Sequence, residues 1–251
     1  MNALLGKRVA IIGAGNIGRI LLERLLDAGL SADQIVICDS DLSRAEEASR
    51  RFGPRACSLT EEPLLRSDVI LLTAPPKATL DLLRALAPNL RQGQMVVSFA
   101  AAVPMSRLEA VLPSNMAVAR VMPNAPSKVG KGMNPVAFGS SVTPEARQVI
   151  QAVLETLGES LEVRDEQMNW CVGLTGAAMR SLLPALEGMI QAGVEAGFAE
   201  EQARRLAAQV MLGTAALTLE SGLSIDEIKS LTPMEMLDEA ALRQIFVDAA
   251  R

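Results

Sequence analysis

Residues 7–18 read K-R-V-A-I-I-G-A-G-N-I-G, and no other stretch constrains the fold as tightly. Four apolar residues, Val9 to Ile12, run directly into glycines at positions 13, 15 and 18. Ile17, Ile20, Leu21 and Leu25 then recur at helical spacing. This is a strand, a tight turn and a helix start, the setting in which a dinucleotide pyrophosphate rests on free helix N–H groups. Gly13 permits the sharp turn, and Gly15 lets the backbone approach the pyrophosphate where Asn16 and Ile17 open the helix. Gly18 lets that helix pack on the strand. The glycines alone are weak evidence. A second apolar run, Ile35 to Cys38, strengthens them because it ends on Asp39, where an acid holds the adenine ribose.

Composition narrows the chemistry. The 251 residues suffice for one large domain or two modest ones, and 49% are apolar, enough for a substantial core. The net charge of −5, with no long basic run, argues against a nucleic-acid partner. The chain enters its first strand at once, so no secretory signal is expected, and no apolar stretch approaches a membrane span. Cys38, Cys57 and Cys171 lie far apart, with no C-x-x-C. Reduced thiols in a cytoplasm are the expectation, with neither a disulfide framework nor a metal site. The chain has no histidine and no tyrosine. Ser-His-Asp and Cys-His nucleophile systems are excluded, as are histidine-ligated metals and the Tyr-Lys pair of many alcohol dehydrogenases. Such a chain suits a reaction that needs little acid–base help.

The pattern predicts strands at Arg8–Ile12, Ile35–Cys38, Val69–Thr73, Met95–Phe99 and Ala117–Val121. Helices are predicted at Asn16–Ala28, Leu42–Phe52, Pro76–Ala87 and Met105–Leu112. The strands are near-continuous apolar runs, as in a parallel sheet covered on both faces. Pro123–Pro135 reads as a functional loop, Pro135–Gly139 as an added strand, Thr143–Leu157 as a capped helix and Leu161–Val163 as a last strand. Beyond it come helices at Asp165–Gly197, Glu200–Leu219, Ser224–Ser230 and Pro233–Ala250, with Gly176 and Pro184 as irregularities. The expected fold is an α/β Rossmann N-terminal domain, residues 1–163, followed by an all-α dimerisation and substrate domain, residues 164–251. The helical half is too small to be self-sufficient and is expected to bury its apolar faces against a second copy.

Longer motifs add a family likeness. They include S-D-V-I-L-L-T-A-P-P at Ser67–Pro76 and V-V-S-F-A-A-A-V at Val96–Val103. The most specific is R-V-M-P-N-A-P-S-K-V-G-K-G-M at Arg120–Met133. G-L-T-G at Gly173–Gly176, A-G-V-E-A-G at Ala192–Gly197 and L-G-T-A-A-L-T-L-E-S-G at Leu212–Gly222 follow. From Val9 to about Glu220 the chain resembles the pyrroline-5-carboxylate reductases, which reduce a cyclic imine to proline with a nicotinamide cofactor. The resemblance implies NAD(P)H as cofactor, a small-molecule imine as substrate, and a homodimer or higher homo-oligomer. It also marks departures. The family's Gly-Ser-Gly-Pro run is replaced by Gly176-Ala177-Ala178-Met179-Arg180, and the Lys of its usual V-K-P segment by Pro75. Its Ser-Pro-Gly-Gly-Thr-Thr loop, which helps hold the substrate carboxylate, is replaced by Leu231-Thr232-Pro233-Met234-Glu235-Met236. Lost donors and an added negative charge predict that pyrroline-5-carboxylate is a poor substrate.

Each candidate residue carries two readings. Asp39 accepts both ribose hydroxyls and repels a 2′-phosphate, favouring NADH, or it caps the following helix; Arg44 admits NADP(H). Thr73, Ala74 and Pro75 border the nicotinamide side or serve ordinary turn chemistry. Asn124 orients the nicotinamide or the substrate, or closes an Asx turn. Thr175, placed near the substrate by the resemblance, hydrogen-bonds the imine nitrogen or relays a proton, or is a helix N-terminal hydroxyl. Arg180 binds a substrate carboxylate or pairs at the surface with Glu187. Lys128 and Lys131 steer an anionic substrate or merely solubilise the loop. The expected reaction is hydride transfer from C4 of the reduced nicotinamide to an imine carbon. Its rivals are a keto- or hydroxy-acid oxidoreductase and a non-catalytic NAD(P)-binding regulatory paralogue.

Overall fold

The computed structural model describes residues 2–100, 102–234 and 236–250. The chain divides into two compact units, Met1–Gly176 and Ala177–Arg251. The division falls thirteen residues beyond the 163/164 boundary read from the change in pattern.

The first unit alternates strand and helix. In order come β1 (Val9–Ile12), α1 (Asn16–Asp27), β2 (Ile35–Cys38), α2 (Leu42–Phe52), β3 (Arg55–Ala56), α3 (Glu62–Leu65) and β4 (Val69–Leu72). Then follow α4 (Pro76–Leu86), β5 (Met95–Ser98), α5 (Met105–Glu109), β6 (Ala117–Val121), β7 (Gly132–Met133) and β8 (Val136–Phe138). The unit closes with α6 (Pro144–Leu157), β9 (Gly158–Glu159), α7 (Met168–Cys171) and a π-helical turn, Val172–Ala177. Seven strands form one sheet in the order β3-β2-β1-β4-β5-β6-β8. All neighbours are parallel except β6 and β8.

Residues of β1 alternate between two cores. Val9 and Ile11 join Leu21, Leu25 and Ile37 on one face, where Ile150 and Val153 of α6 also pack. Ala10 and Ile12 join Ile70, Leu72, Leu83 and Leu108 on the other. Helices therefore cover both faces, the condition under which strands become continuous apolar runs. The chain reverses its direction of travel across the sheet between β1 and β4, and ligands of open α/β sheets bind in the crevice at such a point.

Some elements depart from expectation. β3 and α3 have no predicted counterpart; two residues of strand, one of them Arg55, carry no apolar run to recognise. Leu161–Val163 was expected as a strand but makes only a bridge, with Val136 N–H donating to the Leu161 carbonyl and Val163 N–H to the Val136 carbonyl, each at 2.9 Å. The loop 123–135 contains a 3-10 turn, Ala125–Val129, and the short strand β7, which pairs with β9.

The second unit is α8 (Ala178–Glu195), α9 (Glu200–Glu220), α10 (Ile225–Ser230) and α11 (Glu239–Ala249). α8 runs through Pro184 without ending. The last helix begins at Glu239 and not at Pro233, because Asp238 accepts the Ala241 N–H at 2.9 Å and caps it there. α8 and α9 approach through Gly193, where a β-carbon would lie 2.8 Å from that of Ala203. Among the described residues of this unit only Ala203 and Ala207 are buried, while Leu206, Val210, Leu212, Leu217 and Leu219 are exposed. No helix among the described residues is long and apolar enough to cross a membrane.

Candidate functional site

The glycine turn sits at the reversal point. Gly13, at φ +114°, donates its N–H to the Cys38 carbonyl at 2.7 Å. From the end of β4, the Thr73 hydroxyl lies 2.8 Å from the Gly13 carbonyl and 3.1 Å from that of Ile12, and donates to them. A β-carbon on Gly13 would meet the Thr73 hydroxyl at 2.6 Å, and one on Gly18 would collide with the Gly13 carbonyl. Gly15 differs: the nearest atom to its β-carbon position is Nη2 of Arg44, at 3.7 Å. Gly15 is the N-cap of α1 and no side chain caps that helix, so the amides of its first turn have no side-chain acceptor there. Asn16 is exposed at this helix end, Ile17 half-buried and Gly18 buried.

Asp39 follows β2 and braces the turn. Its Oδ2 accepts the Ala14 N–H at 2.7 Å and its Oδ1 the Asp41 N–H at 3.0 Å. Arg44 Nη1 lies 4.0 Å from Oδ2, with the Asp39 side chain 8% exposed and that of Arg44 49%. A cleft of about 300 Å³ is lined by Gly13, Gly15, Asp39, Thr73, Ala74 and Pro75 together with Arg44. Six of the residues expected around the cofactor thus share one cavity. Leu59 and Leu82 also line it. Neither stood out in sequence, since Leu59 follows the unpredicted β3 and Leu82 reads as an ordinary apolar position in a helix. Beneath Asp39, the buried Cys38 and Cys57 thiols are 2.7 Å apart. Their shared hydrogen bond and burial push the Cys38 thiol far above its ordinary range. Cys171 is also buried and free. Among the described residues no three potential metal ligands cluster.

Asn124 and Thr175 come together elsewhere in the same unit. Asn124 Oδ1 accepts the Met133 N–H at 3.2 Å, and its Nδ2 donates to the Thr175 carbonyl at 3.3 Å. Thr175 lies in the π-helical turn, a distortion found frequently at functional sites. Its hydroxyl donates to the Cys171 carbonyl at 2.7 Å. The hydroxyl hydrogen is thereby engaged, and the oxygen lone pairs are left to accept. Four residues before Asn124, Arg120 is 1% exposed and Nη1 donates to Asp165 Oδ1 at 2.6 Å. No motif of the sequence marks this pair, although a lone arginine in the apolar run of β6 is a visible signal. Arg180 stands exposed on α8 in the second unit, and Lys128 and Lys131 are exposed on their loop. Leu231 and Met234 are exposed, and Glu235, on which the expected repulsion of a carboxylate rests, lies outside the described residues.

Two segments of the chain match known protein families. Residues 8–102 match the family described as NADP oxidoreductase coenzyme F420-dependent, and residues 165–250 match pyrroline-5-carboxylate reductase dimerisation. A pyrroline-5-carboxylate reductase of Mycobacterium leprae is 33% identical over 217 residues, covering 85% of this chain and 74% of that one. One from Corynebacterium melassecola is 28% identical, covering 97% of this chain and 94% of its own. Among solved structures, Plasmodium falciparum pyrroline carboxylate reductase with NADP bound superposes with a TM-score of 0.85 at 18% identity, covering 98% of this chain and 94% of that one. The Coxiella burnetii enzyme gives 0.83 at 21% identity, covering 97% and 94%.

Proposed function

The chain belongs to the pyrroline-5-carboxylate reductase family, and on that premise we propose that this NAD(P)H-dependent oxidoreductase acts on the C=N bond of a small cyclic imine. The observation that carries the cofactor reading is the open position at Gly15, beside an α-helix start with no side-chain cap. A β-carbon there would project toward the place a pyrophosphate needs, and nothing in the protein fills it. When bound, the reduced nicotinamide supplies the hydride. Gly13, Gly15, Asn16, Ile17 and Gly18 hold the pyrophosphate in this reading, Asp39 the adenine ribose, and Thr73, Ala74 and Pro75 the nicotinamide side.

The remaining work is positioning and the exclusion of water, because a protonated imine is already electrophilic. Thr175 suits it. With its own hydrogen committed to Cys171, its oxygen accepts from an iminium N–H, and so favours the charged, reactive form of the substrate. Asn124 fixes the Thr175 backbone. Arg180, five residues farther along the chain, is assigned to a substrate carboxylate. The three free thiols fit a reducing cytoplasm.

We assign NADH as the preferred cofactor through Asp39, whose carboxylate opposes a 2′-phosphate. Arg44 acts in the contrary direction and sets how large the preference is. The substrate is expected to differ from pyrroline-5-carboxylate, or to make it a weak one. Replacing a Gly-Gly-Thr-Thr loop by Pro233, Met234, Glu235 and Met236 removes two or three donors. At about 1.5–3 kcal/mol per charge-assisted hydrogen bond, the specificity constant should fall by about two decades or more. Steady-state reduction of pyrroline-5-carboxylate with NADH and NADPH checks both points. Tighter use of NADPH contradicts the cofactor assignment, and an ordinary enzyme-range kcat/KM contradicts the altered-substrate reading. Intact NADH binding without turnover of any cyclic imine would leave the regulatory alternative standing.

The helical unit supports a homodimer, since most of its large apolar residues are exposed and, among the described residues, only Ala203 and Ala207 are buried. Light scattering across a dilution series should show a dimer. A stable monomer with full helix content would contradict the assignment.

A further inference from the structure

Arg120 is a cation sunk into the sheet, and stability alone does not account for it. Burying a guanidinium costs desolvation that its attraction to a carboxylate, here 26% exposed, barely returns, and well-packed apolar residues often serve a core as well or better. What the pair does supply is fixed geometry. Arg120 lies on β6, which leads through Met122 and Pro123 to Asn124. Its partner Asp165 opens the segment that runs through α7 and the π-helical turn to Thr175. Arg120 Nη1 donates to Asp165 Oδ1 at 2.6 Å, and Nη2 to Asn169 Oδ1 at 3.3 Å. The second oxygen of Asp165 accepts the Met105 N–H at 3.0 Å, at the start of α5. One guanidinium and one carboxylate thus join β6, α5 and the segment carrying Thr175. Among the described residues, Asn124 and Thr175, the two proposed substrate-side residues, are linked by the longer Asn124 Nδ2 to Thr175 carbonyl bond of 3.3 Å.

We propose that the buried Arg120 and the part-buried Asp165 form a clamp of positioning residues that sets Thr175 and Asn124 in register for imine reduction. The inference rests on reading those two residues as the substrate side. The clamp does not touch the dinucleotide cleft, so its loss should spare cofactor binding and strike the chemical step.

The chain's single tryptophan, Trp170, adjoins Asn169 on α7 and gives a readout that needs no turnover. The double variant Arg120→Met/Asp165→Leu replaces the pair with apolar groups and avoids an uncompensated buried charge. Asp165→Asn keeps the shape and the acceptor for Met105, and serves as the second variant should the first not fold. Time-resolved anisotropy of Trp170, NADH titration and steady-state kinetics with pyrroline-5-carboxylate are measured on both. The double variant should bind NADH within about twofold of wild type and add nanosecond motion at Trp170. Its kcat should fall about a hundredfold, with KM moving much less, as expected for a misplaced reacting group. Asp165→Asn should lose about tenfold in kcat. Unchanged Trp170 anisotropy in the variants overturns the clamp whatever the activity. A loosened Trp170 with NADH binding kept, in a protein whose wild type reduces no imine, upholds the clamp and instead overturns the substrate reading.

Discussion

Gly15→Val should give a folded protein that has lost its dinucleotide. The Gly15 backbone, at φ −76° and ψ −166°, is one that any L-residue adopts. The space a β-carbon would enter is open to within 3.7 Å of Arg44. The protein itself therefore has little to lose. The ligand has much to lose, because a branched side chain then stands over the amides that face its pyrophosphate. Two such charge-assisted bonds, at about 1.5–3 kcal/mol each, correspond to about a hundredfold or more in Kd. NADH fluorescence titration, with a melting curve to confirm the fold, reads the result. Wild-type affinity in a folded variant would remove the pyrophosphate from this turn.

Gly18→Ala should do the reverse and damage the protein before any ligand is considered. Its β-carbon would drive into the Gly13 carbonyl and lie 3.0 Å from the Thr73 hydroxyl. The first of these is backbone, and it cannot step aside like the end of a flexible side chain. Relief requires α1 to lift from β1, which opens the core around Leu21, Leu22 and Leu25. Overpacking of this kind costs about 3 kcal/mol or more. In a chain of this size that lowers Tm by about 6–12 °C. Thermal unfolding followed by circular dichroism measures it, and a Tm within about two degrees of wild type would show that the helix and strand are not in such close contact.

The two glycines are the same letter, and their place in the G-x-G-x-x-G spacing is what assigns Gly15 to the pyrophosphate and Gly18 to helix packing. Sequence reports what a residue is allowed to do, and the neighbours decide which allowance is used. The central strands were legible because a sheet covered on both faces needs unbroken runs such as Val9–Ile12 and Val69–Leu72, and such runs survive as a pattern. α6 was legible to its ends because Thr143 and Pro144 act locally: the Thr143 hydroxyl accepts the Ala146 N–H at 3.2 Å. Features set by distant partners were not. Arg120 and Asp165 are 45 residues apart, and nothing local announces their meeting. The π-helical turn falls at Gly176, one of the two irregularities read in this stretch, but its widened form was not legible, since that depends on what packs against it. Pro184 looked like an interruption, yet α8 accommodates it. Around the candidate site, Gly13, Gly15, Asp39 and Thr73–Pro75 could be gathered from motif and strand ends, whereas Leu59 entered the cleft through a strand too short to see.

The borders of the sheet have a consequence for how this chain behaves when crowded with copies of itself. One border is β3, just two residues long, with the exposed Arg55 paired to Glu61 at 3.0 Å. The other is β8, whose outer side is already engaged by Leu161–Val163 at Val136. An unpaired ladder of apolar residues would recruit a strand from a neighbouring molecule and seed aggregation. Here one border is short and charged and the other is partly occupied. The apolar strands most prone to such recruitment, β1, β4 and β5, lie in the middle, out of reach once the sheet has formed.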